Sequence, residues 1–380
     1  MNHELAKTCE ELRRIGADGA VLASIENVTY VTNVEQPVHV GAMAATTVAP
    51  WLAIISARDE RGIVLAPVGK IAELEARAPA FDTIGFPTFD SFVATDPRAR
   101  YLEGLAQALG RLGLNSRMAT LAIEREWVPL FTHECFPGKH IEAAEPLQRA
   151  RWIKTGREIE LLRTASKLAD IGHTALDRLC DEAGQNEIAM WCEIANQIYM
   201  EAGQDIPLTG ELVTGPRSTV VLYPNGPRNR ITEVGDAALM DLSGRYQGYW
   251  FDCTNTHIIA GRPTSEEKRY ATASQDACEA AMAALKPGAK ASDVAHAAAT
   301  AFATHGLPMA HYAGHQIGVS VNELPRLAPY DHSIIEPGMV FSVEPGAYQG
   351  KGGTFGARSE KMVLVTESGP DILSTFEWGI

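Results

Sequence analysis

Asp241 and Asp252 lie on the two arms of a predicted β-hairpin, and paired carboxylates can bind a cation or share a proton. Two apolar runs flank a polar, glycine-containing turn in residues 237–259, which is the pattern of such a hairpin. A regular register centred between Tyr246 and Gln247 would place the two carboxylates directly opposite each other. Apolar neighbours on both sides of Asp241 predict a buried strand, where two opposed charges are costly unless a cation or a proton neutralises one of them. Judged alone, the hairpin fits a metal site and a proton-sharing pair equally well.

Two glutamates near the C-terminus could add to such a site. Glu344 ends a predicted apolar strand, and the Pro-Gly pair after it predicts a turn that holds the carboxylate at the end of a sheet. Glu360 belongs to a predicted strand from Arg358 to Thr366, whose alternation places Glu360 on the same face as Arg358, Met362 and Leu364. The carboxylate therefore points to the apolar side. A buried glutamate beside an arginine is also explained by a structural ion pair.

His311 and His315 have the spacing of a helical metal pair. Gly314 and Gly318 favour a loop or strand instead of a helix. A lone histidine is more often structural or exposed than a ligand. Spacing alone therefore does not select His315 as a ligand.

The elements that would position these side chains indicate two α/β domains. Residues 1–150 predict a small domain, with a helix through residues 11–14 and a strand at 52–57 that could pair with 62–66. The polar, proline-containing segment 145–155 predicts a linker. Residues 151–380 form the second domain, in which strands are separated by four helices at about 155–180, 186–202, 264–285 and 291–305.

Composition excludes several classes of function. The chain of 380 residues is 46% hydrophobic and 21% charged, which is typical of a folded globular protein of two domains. Its net charge of −14 disfavours nucleic acid and anionic membranes as partners. The six cysteines include no CxxC pair and indicate reduced thiols. No apolar export signal or membrane span is apparent, so we expect a cytoplasmic protein.

Five stretches together resemble the pita-bread metallopeptidase superfamily (M24-like), which contains aminopeptidase P, prolidase, methionine aminopeptidase and creatinase. They are residues 151–160, 240–254, 314–318, 337–346 and 356–360. The segment 25–33 resembles the N-terminal domain of creatinase and aminopeptidase P, which methionine aminopeptidase lacks. The resemblance implies a two-domain α/β fold of the creatinase/aminopeptidase P type, with a C-terminal pita-bread domain and a smaller N-terminal α/β domain, and it implies a homodimer.

The resemblance also implies a site that holds two divalent metal ions. Asp241 would chelate one ion, His315 and Glu344 the other, and Asp252 and Glu360 would bridge them. Oxygen-rich ligands suit Mn, Co, Fe or Zn better than a thiolate-preferring ion. Glu344 would shuttle a proton while His311 stabilises the oxyanion, and the residues implied in substrate binding are His311, Asn322 and Arg358.

Four positions depart from the pattern of Xaa-Pro peptidases. Pro224 and Asn322 stand where those enzymes usually carry histidines, Asn255 stands for an arginine, and Gln316 for a glycine. Asparagine can hydrogen-bond a carbonyl but cannot titrate. The metal-ligand positions are retained while the residues around the substrate differ, which indicates a specialised hydrolase. Creatinase itself is disfavoured, because Pro224 occupies the position of its base.

The function expected from these residues is hydrolysis of an amide or related C–N bond in a small, proline-like or cyclic substrate by a metal-bridging hydroxide. An Xaa-Pro dipeptidase or aminopeptidase acting on a dipeptide substrate is one alternative, and a metal-dependent lyase of a small osmolyte is another. The superfamily also includes inactive members that bind chromatin proteins or RNA. That alternative is disfavoured because all five ligand positions are occupied and the net charge is −14.

Overall fold

The computed structural model describes residues 2–38, 49–222 and 225–380, so Pro224 lies outside the described residues. The chain divides into two compact units, Met1–Arg151 and Trp152–Ile380. No helix within the described ranges is long and apolar enough to cross a membrane. The six cysteines are free thiols in the structure.

The first unit contains a six-stranded mixed sheet with helices beside it. Its helices are α1 (His3–Arg14), α2 (Ile25–Thr32), α3 (Ile71–Arg77), α4 (Pro97–Arg111) and α5 (Ala144–Trp152). Its strands are β1 (Gly19–Leu22), β2 (Leu52–Ser56), β3 (Arg61–Pro67), β4 (Phe81–Phe86), β5 (Thr120–Ile123) and β6 (Lys139–Glu142). The strand order is β4-β3-β2-β1-β5-β6. Strands β2 and β3 pair antiparallel, which confirms the predicted pairing of these two segments.

The segment predicted as a linker is helical. Helix α5 covers most of it and buries Leu147 and Ala150 on one face. Pro146 lies in the first turn, where a missing backbone N–H costs nothing because that group has no partner within the helix. The chain divides after Arg151, within this segment, but the segment is a helix because polar composition and one proline do not exclude an amphipathic helix.

The second unit contains four helices and ten strands among its described residues. The helices are α6 (Gly156–Leu179), α7 (Glu187–Ala202), α8 (Ser265–Ala284) and α9 (Ala291–Thr304), which confirms the four predicted. The strands are β7 (Leu208–Thr214), β8 (Ala237–Tyr246), β9 (Tyr249–Ile258), β10 (Gly314–Gln316), β11 (Glu323–Arg326), β12 (Val340–Val343), β13 (Gly346–Tyr348), β14 (Gly356–Arg358), β15 (Lys361–Thr366) and β16 (Gly369–Ile372).

Three antiparallel sheets form from these strands: β7-β8-β9, β11-β10-β12-β15-β16 and β13-β14. Helices α6 and α8 begin with capping boxes, in which Thr155 pairs with Glu158 and Thr264 pairs with Glu267. Helix α6 packs on β8 and β9, and α8 packs on α9 and on β13 and β14. Helices therefore pack against the sheets, and the strand ends can position polar side chains.

The hairpin of β8 and β9 is confirmed, but its register differs from the prediction. Tyr246 pairs with Tyr249, and the turn consists of Gln247 and Gly248, which have positive φ values of 48° and 88°. A two-residue turn of this kind matches the twist of the strands. Its centre lies one residue later than predicted, so Asp252 is not directly opposite Asp241.

Ser243 is the cross-strand partner of Asp252, and Thr254 is the partner of Asp241. The two aspartates are diagonal neighbours and still share one face of the hairpin. The strand predicted from Arg358 to Thr366 is also interrupted, because Ser359 and Glu360 lie between β14 and β15.

Candidate metal centre

The predicted ligands lie on five neighbouring segments of the second unit. Asp241 is on β8, Asp252 on β9 and His315 on β10, whereas Glu344 follows β12 and Glu360 follows β14. All except Glu360 line a cavity of about 350 Å³. Glu360 is 1% exposed, and one ligand atom each from Asp252, His315 and Glu360 lies within 4.8 Å of the others. The structure therefore brings together residues that are far apart in the sequence.

The orientation of His315 suits a ligand. Its Nδ1 lies 2.9 Å from the carbonyl oxygen of Gln316, so Nδ1 carries the proton and Nε2 presents a lone pair. Nε2 lies 3.3 Å from Glu344 Oε1 and 3.6 Å from Asp252 Oδ2. Burial lowers the pKa of His315, which keeps the imidazole neutral and able to coordinate.

Buried carboxylates crowd the cavity. Burial raises the pKa of Asp252 well above its ordinary value, and the charges of Glu360, Asp241 and Glu344 raise it further. Burial likewise raises the pKa of Glu360, and it raises that of Glu344 to about 8. Such a cluster is unfavourable unless protons or cations neutralise it.

Two buried carboxylate oxygens indicate that the site is suited to a cation. Asp241 Oδ1 and Glu360 Oε1 are buried and have no hydrogen-bond partner among the described residues. Unsatisfied buried oxygens of this kind are rare in folded proteins and are expected where a cation binds. With the Nε2 of His315, they form a donor set of carboxylate oxygens and one imidazole, which fits divalent metal ions.

Two hydroxyl groups hold the carboxylates that would bridge the metals. Ser243 Oγ donates to Asp252 Oδ1 at 2.8 Å, and Thr254 Oγ1 donates to Glu360 Oε2 at 2.6 Å. Both hydroxyls lie on the hairpin and are buried. They fix the direction of the two carboxylates before any metal binds.

Arg358 is held by the protein through most of its donors. Nη2 lies 2.6 Å from Glu211 Oε2 and 2.7 Å from Asp241 Oδ2, and Nε donates to Thr254 Oγ1 at 3.0 Å. Nη1 donates to Tyr348 Oη at 3.2 Å. Of the five N–H groups of a guanidinium, one remains for a substrate. The substrate-binding role of Arg358 stays a prediction, and its contacts with Asp241 and Glu211 add a structural one.

His311 ends a directional chain of hydrogen bonds that begins at Arg358. Tyr348 accepts from Arg358, and its hydroxyl lies 3.3 Å from His311 Nε2. The other ring nitrogen, Nδ1, lies 2.9 Å from the carbonyl oxygen of Tyr312. Burial lowers the pKa of His311 to about 4, so the ring is neutral. In this tautomer Nε2 is an acceptor, and the predicted oxyanion role would need the opposite tautomer.

Asn322 is exposed at the cavity wall. Its Nδ2 donates to Tyr312 Oη at 3.3 Å, which leaves one N–H and the amide oxygen for a substrate. The Gln316 side chain accepts from Lys154 Nζ at 3.1 Å and does not line the cavity. Asn255 bonds to the C-terminal segment and is also absent from the lining. Of the departures among the described residues, only Asn322 alters the cavity wall.

Sequence reasoning missed Glu211, Tyr312 and Tyr348, which contact the predicted site residues. Glu211 lies on β7 directly opposite Asp241, and the other two follow or precede predicted ligands by a few residues. A single acidic residue in an apolar strand was the available signal for Glu211. No sequence pattern shows that β7 pairs with β8, so this neighbour emerged only from the fold.

Comparison with known proteins places these observations in a family. The model of metallopeptidase family M24 matches residues 160–367. The probable dipeptidase PepE of Mycobacterium tuberculosis is 33% identical over 230 residues, and the alignment covers 60% of this chain and 60% of that protein. The Xaa-Pro dipeptidase of Pyrococcus horikoshii is 26% identical over 386 residues, covering 99% of this chain and 98% of that protein.

Solved structures show the same fold. The Xaa-Pro dipeptidase from Bacillus anthracis superposes with a TM-score of 0.80 at 20% sequence identity, covering 99% of this chain and 98% of that one. The predicted two-domain α/β fold with a pita-bread domain is thus confirmed. The family match spans more than half of the chain and contains every predicted metal ligand. This chain belongs to metallopeptidase family M24.

Proposed function

We propose that this protein is a metal-dependent hydrolase of a small amide, with Xaa-Pro dipeptides as the first substrate class to test. One observation carries the proposal: four carboxylates and an imidazole converge in the second unit, and two buried carboxylate oxygens lack partners among the described residues. The cavity of about 350 Å³ suits a substrate of dipeptide size. The similarity to a probable dipeptidase and to Xaa-Pro dipeptidases supports a dipeptide substrate.

The proposed metals are two divalent ions of Mn, Co, Fe or Zn. Asp241 would hold one, His315 and Glu344 the other, and Asp252 and Glu360 both. When bound, such a pair acidifies a bridging water and polarises the scissile carbonyl.

The protein's own groups would move the proton and orient the substrate. Glu344 takes the proton of the attacking water and delivers it to the leaving nitrogen, because its carboxylate lines the cavity and lies 3.3 Å from the candidate ligand His315. His311 Nε2 accepts an N–H of the substrate in place of the Tyr348 hydroxyl, and Asn322 donates to a substrate carbonyl. The remaining N–H of Arg358 is a further candidate donor.

The test combines metal content with turnover. Purified protein is assayed for bound metal and for hydrolysis of a panel of Xaa-Pro dipeptides, and the same measurements are made on Asp241→Asn. The matched control is Asp205→Asn, which removes an exposed carboxylate of the same unit. We expect Asp241→Asn to lose metal and activity and Asp205→Asn to keep both.

Two other outcomes separate the alternatives. Bound metal without dipeptide turnover would support the metal centre but not a dipeptide substrate. Small cyclic amides and osmolytes would then be assayed, because Asn322 already indicates a changed substrate site. Absence of metal, with activity insensitive to chelation, would overturn the proposal. The homodimer and the cytoplasmic location expected from the sequence also stay predictions, for which light scattering and cell fractionation are the direct measurements.

A further inference from the structure

Glu211 is a buried carboxylate beside the candidate centre that the proposed chemistry does not use. Glu211 is 3% exposed and lies on β7, directly opposite Asp241 on β8. Glu211 also lines the cavity, although it is not among the predicted ligands. A single nitrogen, Nη2 of Arg358, contacts both Glu211 Oε2 and Asp241 Oδ2, at 2.6 and 2.7 Å.

The position of Arg358 poses an electrostatic problem for a cation site. A guanidinium in contact with Asp241 competes with a metal ion for that carboxylate, and the two positive charges repel each other strongly in a buried environment. Arg358 cannot swing into solvent without loss, because it is 3% exposed and also bonds Thr254 and Tyr348. A counter-charge is needed if Asp241 is to bind a cation.

Glu211 supplies that counter-charge. Nη2 carries two hydrogens, and each can serve one carboxylate, so Glu211 takes one and neutralises the guanidinium. Without the Glu211 charge, Arg358 would pair with Asp241 alone and draw its oxygens away from a metal. We infer that Glu211 is a positioning residue that neutralises Arg358 and thereby keeps Asp241 available to a divalent cation. The inference rests on the proposed metal-dependent function.

A purely structural role predicts a different result, and Glu187 provides the comparison. Its side chain is 0% exposed and pairs with Arg217, and it accepts from the backbone N–H of Thr214 at 2.9 Å. It does not line the cavity. Glu187→Gln therefore removes a carboxylate of similar burial, also paired with an arginine, away from the candidate centre.

The experiment titrates Mn²⁺ into the full-length, chelator-stripped protein by calorimetry, with circular dichroism to verify folding. We expect Glu211→Gln to raise the Kd of one of the two ions, the one that Asp241 would hold, by roughly 10- to 100-fold. Glu187→Gln should lower the unfolding temperature and leave the Kd unchanged. The double variant Glu211→Gln/Arg358→Gln removes both charges of the Glu211–Arg358 pair. It should therefore have the same Kd as Arg358→Gln alone.

The outcomes distinguish the two proposals. Wild-type affinity in folded Glu211→Gln, or the full loss persisting without Arg358, would overturn the inference alone. If Glu211→Gln does not fold, the comparison of Arg358→Gln with the double variant decides, because equal Kd values are expected and a further loss would contradict the inference. Failure of the wild-type protein to bind Mn²⁺, Co²⁺, Fe²⁺ or Zn²⁺ would overturn the proposed function and this inference with it.

Discussion

The ammonium group of Lys154 lies 2.8 Å from Glu323 Oε2, and the two side chains are 0% and 3% exposed. Lys154 also donates to Gln316 Oε1 at 3.1 Å. Gln316 follows the candidate ligand His315, and Glu323 follows Asn322 on the cavity wall. A buried ion pair thus ties the start of the second unit to both ends of the 316–323 segment.

Replacing Lys154 by methionine should destabilise the protein. The change removes the ammonium group that lies against the buried Glu323 carboxylate, and breaking a buried pair in this way costs about 3–5 kcal/mol. Denaturant unfolding of metal-free protein measures the loss. The double variant Lys154→Met/Glu323→Leu removes both charges and should recover most of the stability. Equal losses in the single and double variants would contradict the role given to the ion pair.

Ser243→Ala should weaken metal binding with little effect on the fold. The hydroxyl donates to Asp252 Oδ1 at 2.8 Å, and its loss frees the carboxylate to rotate. We expect roughly tenfold weaker binding of Mn²⁺, since hydrogen bonds that orient ligands contribute about this much or more. The control is Ser292→Ala, which removes a buried hydroxyl near His332 and outside the cavity lining. Identical Kd values for the two variants would show that Ser243 does not orient the ligand.

The five candidate ligands, which the structure brings together, could be named from sequence only through the motifs of the family resemblance, since spacing alone did not select His315. The detailed geometry could not. The hairpin register depends on whether the turn has two residues, and moving the turn centre by one residue exchanged Asp241 for Ser243 as the partner of Asp252. Alternation still placed both aspartates on one face, because a shift of the pairing by two residues preserves the side-chain period.

The departures from the peptidase pattern were harder to interpret from sequence. All four were assigned to the substrate shell, yet Gln316 bonds Lys154, and Asn255 bonds the C-terminal segment. Neither contact is predictable, because each joins residues separated by more than a hundred positions. Glu211 was missed for the same reason, since its importance comes from a guanidinium on another strand.

Asn255→Ala should loosen the C-terminal segment. The amide donates to the carbonyl oxygen of Glu377 at 2.9 Å and accepts from the N–H of Gly379 at 3.1 Å. Losing both bonds should cost about 1–3 kcal/mol and expose the backbone after Leu373. Limited proteolysis, followed by mass spectrometry, should find faster cleavage there than in Asn229→Ala, which alters an exposed asparagine elsewhere. Unchanged cleavage would show that the other contacts hold the segment.

Acid should destabilise the metal-free protein in part through His173. Its Nε2 lies 3.0 Å from the carbonyl oxygen of Cys253, and its ring stacks on Phe376. Burial lowers the pKa of His173 to about 3, against about 6.5 in an unfolded chain. Between these values the unfolded state binds a proton that the folded state does not, so stability falls as pH drops below about 6.5.

The variant His173→Gln should flatten this pH dependence while lowering stability at neutral pH. Between about pH 6.5 and about pH 5, the free energy of unfolding of the variant should fall by about 2 kcal/mol less than that of the wild-type protein, because the variant has no imidazole at position 173 to protonate on unfolding. Urea unfolding of chelator-treated protein at both pH values measures the difference, and the carboxylates of the metal centre contribute equally to both proteins. His257, whose pKa burial lowers to about 4, remains in the variant and keeps its own share of the slope. His296→Gln, at an exposed position, should retain the wild-type slope. If His173→Gln retains it as well, His173 is not a source of the acid sensitivity.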